Sequence, residues 1–250
     1  MHNTELLALL NKTLSPQNFK DYCPNGLQVQ GGSVCKKVLC AVSISEQLID
    51  HATAYNYDAI LVHHGLFWHK MPYNITGIQY NRISKLIKHN INLYAYHLPL
   101  DNHPTLGNNA QIANKLNIKV DGQTGEQDLL WYGHLDTPIP LSELLKHYQH
   151  LTQHDSYYFG QEQNLINKIA WCSGAAQNLF YQAIALNVDC YLTGEVNEQI
   201  MALAQESNVA YMVGGHYSSE EFGIKALCDF LQKSLNNDII FDYLRVYNPI

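Results

Sequence analysis

Residues 58–64 read DAILVHH. The run AILV (59–62) is short and apolar throughout, the pattern of a strand covered on both faces, and it ends in two adjacent histidines. Similar runs flank it, VLCAVSI at 38–44 and NLYAY at 92–96. Helical patterns lie between and after them: SEQLIDHATAYN (45–56), QYNRISKLIKHN (79–90) and NNAQIANKLNI (108–118). Strand–helix alternation of this kind predicts parallel βαβ units.

Residues 121–168 break the rhythm with the turn-rich DGQTGEQDLLWYGHLDTPIP and one helix, PLSELLKHYQHLTQ. The alternation resumes with KIAWCSG (168–174), AAQNLFYQAIALN (175–187), VDCYLTGE (188–195), NEQIMALAQESN (197–208), VAYMVGGH (209–216) and SSEEFGIKALCDFLQKSL (218–235). The expected fold class is α/β, with largely parallel sheets covered by helices. Two halves are expected, 1–125 and 126–250, with the division near residue 125.

Composition narrows the function. With 250 residues and 46% hydrophobic side chains, the chain can bury a substantial core. A net charge of −7 with no long Lys/Arg run argues against nucleic acid as a partner, because such binding rests on neutralising phosphates. No apolar stretch reaches the roughly 20 residues of a membrane span, so no membrane role is expected. The N-terminus, MHNTELLALLNKTLSPQNF, has an early acid and helical leucine spacing, and reads as a folded helix rather than an export signal. The six cysteines (Cys23, Cys35, Cys40, Cys172, Cys190 and Cys228) form no C-x-x-C, which fits free thiols in a reducing, cytoplasmic location. Neither a P-loop, a G-x-G-x-x-G nor a G-x-S-x-G occurs, which removes the usual support for a nucleotide kinase, a Rossmann dehydrogenase or a serine hydrolase.

The strand ends carry the chemistry. In α/β sheets ligands gather outside the carboxyl ends of the strands. One strand ends in His63-His64, the next in His97 with Asp101 four residues on. In the second half one ends in Gly194-Glu195 and another in His216, with Glu220 four residues on. Gly65 lets the backbone turn directly after the histidine pair, so both imidazoles can splay toward one site. Three imidazoles and two carboxylates suit a pair of Zn, Fe, Mn, Co or Ni ions, about 3.5–4 Å apart in dinuclear sites, better than Ca or Mg. His63, His64, Asp101, His216 and Glu220 are therefore the metal-ligand candidates.

A lone buried histidine is more often a hydrogen-bonded core residue; the coincidence of five such groups at strand ends favours metal. His97 and Glu195 are the catalytic candidates. His97 has two other readings, support of a ligand or packing, and Glu195 either holds a ligand from behind or faces a helix N-terminus. Ser218-x-x-Glu221 matches a capping box, whereas a helix that begins earlier puts His216 and Glu220 on one face. His147, His150 and His154 read as a solvated face, and Trp131, Tyr132, Tyr157 and Tyr158 as packing.

NGLQVQG (25–31), HHGLFW (63–68), HLPLD (97–101) followed by GNNAQIA, YLTGE (191–195) and GGHYSSEEFG (214–223) together resemble the Nif-three-like (NGG-interacting factor) proteins, the GTP cyclohydrolase 1 type 2 homologs, of the short bacterial type. The resemblance spans essentially the whole chain. It implies two interlinked α/β domains with a dinuclear metal site in the cleft between them, the five ligands named above, and a homohexamer. It also implies a metal-dependent hydrolase acting on a small molecule, with GTP the first candidate substrate. The alternative is a metal-binding regulatory or scaffold protein, contacting protein or DNA, without catalysis.

Overall fold

The run Ala59–Val62 forms the middle of a five-stranded sheet. The computed structural model describes residues 1–235 and 238–250. They pack into two units: Met1–Gly107 with Gly223–Tyr247, and Asn108–Phe222 with Asn248–Ile250.

In the first unit the strands lie in the order β1 (Gly26–Val29), β4 (Asn92–Ala95), β3 (Ala59–His64), β2 (Lys37–Ser43) and β11 (Ile240–Tyr243). All pairs are parallel except β1 with β4. Helices α2 (Glu46–Ala54) and α3 (Gly77–Lys88) make the crossovers that parallel neighbours require. They pack Leu48, Ile49, Ala52, Ile83 and Leu86 on Leu39, Ala41, Ile60 and Val62 of the sheet. The alternate residues Val38, Cys40 and Leu61 are buried as well, which is why these strands are apolar at every position. Each such aliphatic side chain contributes about 1.5–3 kcal/mol by leaving water.

The N-terminal helix α1 (Asn3–Leu14) buries Leu6, Leu10 and Leu14 along one face. It starts at a capping box formed by His2 and Glu5, and ends where Ser15 turns left-handed at φ 47°. A single turn, α4 (Leu98–Asp101), follows β4.

The second unit holds a six-stranded sheet. Its order is β5 (Lys119–Thr124), β6 (Leu130–Pro140), β8 (Leu165–Trp171), β9 (Cys190–Thr193), β10 (Ala210–Val213) and β7 (Tyr157–Phe159). Only β8–β9–β10 run parallel. β5, β6 and β8 form an antiparallel meander and β7 closes the far edge antiparallel to β10. The second sheet is thus mixed where the first is largely parallel. The irregular segment 121–168 is the reason: it carries β-ribbon and not βαβ crossovers. Helices α5 (Asn108–Lys115) and α6 (Leu141–Thr152) cover one face of this sheet around Trp131, Ile169 and Trp171. Helices α7 (Phe180–Ala185) and α8 (Ile200–Ser207) cover the other around Tyr191 and Tyr211.

The sequence reading divides the chain at residue 125, into 1–125 and 126–250. The packing divides it instead between Gly107 and Asn108, and returns 223–247 to the first unit. Hydrogen bonding accounts for both differences. β5 pairs with β6, so residues 119–124 belong to the second sheet. Long helix α9 (His216–Ser234) leads to β11, which pairs with β2.

Candidate metal centre

Strand β3 delivers His63 and His64, and their ring centroids lie 4.5 Å apart. Strict alternation would send neighbouring side chains to opposite faces, so the strand end brings together what a regular strand would separate. Each ring is held from behind through Nδ1. His63 Nδ1 lies 3.0 Å from the Tyr96 carbonyl oxygen. His64 Nδ1 lies 2.9 Å from Ser43 Oγ, the residue opposite it on β2.

His97, just after β4, follows the same plan: its Nδ1 lies 2.9 Å from Asp21 Oδ1. One ring nitrogen of each of His63, His64 and His97 lies within 4.8 Å of the others. The short turn α4 then sets buried Asp101 with Oδ2 3.5 Å from His63 Nε2.

Asp21 organises this region. Its carboxylate accepts the Leu98 N–H at 2.9 Å, the Asn25 amide at 3.0 Å and the Cys23 N–H at 3.3 Å. Burial is the largest influence on its acidity and works upward. The hydrogen bond and charge of His97, then Asn25 and the Leu98 N–H, outweigh it and hold the carboxyl at about 2. Asn25 closes the circuit by accepting the His97 N–H at 2.8 Å. Gln28 braces the turn after His64, accepting the Leu66 N–H at 2.8 Å and donating to the Pro24 carbonyl at 2.8 Å. A side chain at Gly65 would run into this Gln28 amide, so glycine there answers close packing.

In the second unit, helix α9 begins at His216, and His216 and Glu220 fall one turn apart with Nε2 and Oε2 at 3.2 Å. Of the two readings of SSEE, the earlier helix start holds. Ser218 Oγ donates to the Gly214 carbonyl at 2.5 Å, so the capping-box reading of Glu221 does not apply. Glu195, after β9, accepts from His216 Nδ1 at 2.6 Å. It stands behind an imidazole, as the Tyr96 carbonyl, Ser43 and Asp21 do in the first unit. Burial, the largest influence on His216, favours the neutral ring; Glu220 and then Glu195 overcome it and lift the imidazolium to about 10.

Gly174, at φ +67°, lines this pair. A Cβ there would collide with Glu220 Oε1 and come within 3.5 Å of His216 Nε2, so glycine keeps the space open. A cavity of about 500 Å³ opens beside Glu195, walled also by His154, Asp155, Tyr157 and Ile250.

Imidazoles tethered through Nδ1, with carboxylate oxygens beside Nε2 of His63 and His216, resemble the arrangement in which histidines serve metals. The donors present in each unit suit a borderline transition ion. Among the sequence candidates, the first unit brings together His63, His64, His97 and Asp101, and the second His216, Glu220 and Glu195. Sequence reasoning gave no role to Asp21, Asn25, Gln28 or Ser43. Asn25 and Gln28 stand inside NGLQVQG, whose resemblance to the family motif was the available signal; Asp21 and Ser43 carried none. His154 lies beyond the end of α6, with Nε2 3.1 Å from the Pro249 carbonyl oxygen. Trp131 packs within the core, as read.

The family model for Duf34/NIF3 (NGG1p interacting factor 3) matches residues 1–247. The chain belongs to the Duf34/NIF3 family. Relatives in this family include proteins of Vibrio cholerae, 41% identical over 254 residues and all of both chains, and of Escherichia coli K12, 38% identical over 250 residues and all of both. Both carry the name GTP cyclohydrolase 1 type 2 homolog. Among solved structures, protein ybgI superposes with a TM-score of 0.94 at 38% identity over all of both chains. A Thermus thermophilus structure gives 0.84 at 29% identity, covering 100% of this chain and 99% of that one. Reduced HcgD from Methanocaldococcus jannaschii shares the fold, with a TM-score of 0.85 at 24% identity and 99% and 98% of the two chains covered. Among the described residues, no helix is long and apolar enough to cross a membrane.

Proposed function

We propose that this Duf34/NIF3 protein is a dinuclear metal-dependent hydrolase of a purine nucleotide or related small molecule. His63, His64, Asp101, His216 and Glu220 together are to hold two divalent transition ions. The observation that carries this reading is the repeated Nδ1 tether: four imidazoles, three in one unit and one in the other, each held from behind at 2.6–3.0 Å. Metal-ligating histidines characteristically have their other ring nitrogen held by a carboxylate, a carbonyl or a hydroxyl, and here four such rings stand at strand ends beside carboxylates.

When bound, such a pair of ions supplies an acidic water and neutralises charge that develops in the reaction. The chain's own groups do the rest. Asp21 fixes the His97 ring through Nδ1 and leaves Nε2 as the proton carrier for hydrolytic attack on an electrophilic carbon, such as position 8 of a purine. Glu195 orients His216, and its half-exposed carboxylate borders a cavity with room for a small molecule. GTP is the first substrate to test, on the strength of the relatives' name. Assembly into a homohexamer belongs to the same reading, supported by the exposed apolar side chains Met71, Tyr73, Ile75, Ile78 and Tyr80.

The test is metal content together with turnover. Metal-loaded protein should carry about two ions per chain, as a dinuclear site requires. It should open GTP or another nucleotide in a chelator-sensitive way, and Asp101→Ala should abolish this while sparing the fold. Full metal loading with no metal-dependent turnover across a nucleotide and ester panel would instead favour the regulatory or scaffold role. Equal metal content in wild type and His64→Ala/Glu220→Ala protein would overturn the site itself.

A further inference from the structure

We propose that Tyr22 and Trp68 form a stacking platform for a planar heteroaromatic ring of the nucleobase class. This inference deepens the hydrolase reading and rests on it for the ring that reacts.

The chain has three tryptophans. Trp131 and Trp171 are buried in the core of the second unit, and their role ends there. Trp68 is only half-buried, and beside it Tyr22 is 55% exposed. Their centroids lie 6.0 Å apart with the planes tilted by 35°, so two large, partly exposed aromatic rings stand together at one place on the surface. His97 stands edge-on to both, 4.9 Å from Tyr22 and 5.1 Å from Trp68. Trp68 also lies 5.6 Å from His64. The surface therefore borders the imidazole cluster directly.

Large aromatic side chains left in water are costly unless something covers them, and these two are held in place rather than left to move. Trp68 Nε1 donates to the Gly65 carbonyl at 3.2 Å, which fixes the indole plane. The His69 N–H donates to the Tyr22 carbonyl at 2.6 Å and joins the two loops. Tyr22 sits between Asp21, with its network of hydrogen bonds, and buried Cys23. Gln28 clamps Pro24 to Leu66 across the same pair of loops. A rigid aromatic surface offers a nucleobase stacking energy without an ordering cost, whatever the base. A base stacked on either ring would lie close to the imidazole cluster. Lys20 and Lys70, both exposed, each stand two residues from one of the rings in the chain.

The experiment uses chelator-treated full-length protein, tryptophan emission excited at a wavelength tyrosine does not absorb, and guanosine, GTP and ribose as probes. Guanosine and GTP should quench emission saturably, and ribose should not. Trp68→Phe should remove the quenched component, leaving the buried tryptophans unresponsive. Tyr22→Ser, with the reporter intact, should weaken guanosine binding about tenfold. Absence of saturable quenching would overturn the platform, as would quenching that persists in Trp68→Phe. So would emission from Trp68 that follows protein concentration and not ligand, since a second copy of the chain would then cover the rings. Because metal is absent, failure of turnover leaves this result standing. Loss of quenching in a protein that still turns over GTP sinks the platform alone.

Discussion

Asp21 is the strongest single hinge for a quantitative test. Asp21→Asn keeps the size of the side chain but removes the charge and replaces an acceptor oxygen with a donor. In the folded chain the carboxyl is held at about 2, against an ordinary value of 3.8. At 1.36 kcal/mol for each tenfold difference in proton affinity, that gap is worth about 2.4 kcal/mol. The side chain is buried, with 3% exposure, so water does little to dilute it. The sign follows from the direction: a folded-state value below the unfolded one stabilises the protein fully above about pH 4, and the contribution is lost as pH falls toward 2. Urea unfolding of metal-free protein, followed by circular dichroism at pH 7, 4, 3 and 2, would measure the gap between wild type and Asp21→Asn. The expected gap is about 2–3 kcal/mol at pH 7, narrowing steadily below pH 4. A gap that stays constant down to pH 2 would refute the electrostatic account, and one near zero at pH 7 would refute the anchoring role altogether.

Two further outcomes follow from the second unit. Glu195→Gln should weaken metal binding about 10–100-fold in a chelator-competition titration, the usual loss when a carboxylate behind a ligating imidazole is removed; an unchanged affinity would remove Glu195 from the site. Gly174→Ala forces a Cβ onto Glu220 at a backbone angle that L-residues avoid, and should cost about 1–3 kcal/mol in thermal unfolding as well as weaken metal binding; a neutral effect on both would show that Glu220 can move aside freely.

How much of this was legible in the sequence depends on the range of the forces involved. The βαβ pattern around Ala59–Val62 was readable because a strand buried on both faces has no polar position, so local composition reports the tertiary environment directly. The amphipathic helix Asn3–Leu14 was readable for the same reason, its leucines recurring on one face. Strand β6 was not: it is eleven residues long, but its burial is irregular, with Asp136, Thr137 and Pro138 exposed in a row, and its register with β8 shifts between His134 and Ile139, so neither alternation nor continuity marks it. The return of residues 223–247 to the first unit carries no local signal, because the pairing of β11 with β2 joins residues about two hundred positions apart.

The site divides along the same line. Histidines and carboxylates at strand ends announce themselves because those residue types are rare in apolar surroundings. What holds them does not. Ser43 reaches His64 because strands β2 and β3 are in register, a fact about pairing and not about serine. Tyr96 serves His63 through a backbone carbonyl, which any residue would supply. Asp21 lies 76 positions from His97 in a loop of ordinary composition. Four supports of four different kinds (a hydroxyl, a carbonyl, a loop aspartate and a strand-end glutamate) hold their imidazoles by the same atom. Folding alone asks only that each buried ring be satisfied, through either nitrogen. Anchored rings with carboxylates beside Nε2 of His63 and His216 make a donor set that a borderline transition ion takes, and that is the strongest physical reason to read these histidines as ligands.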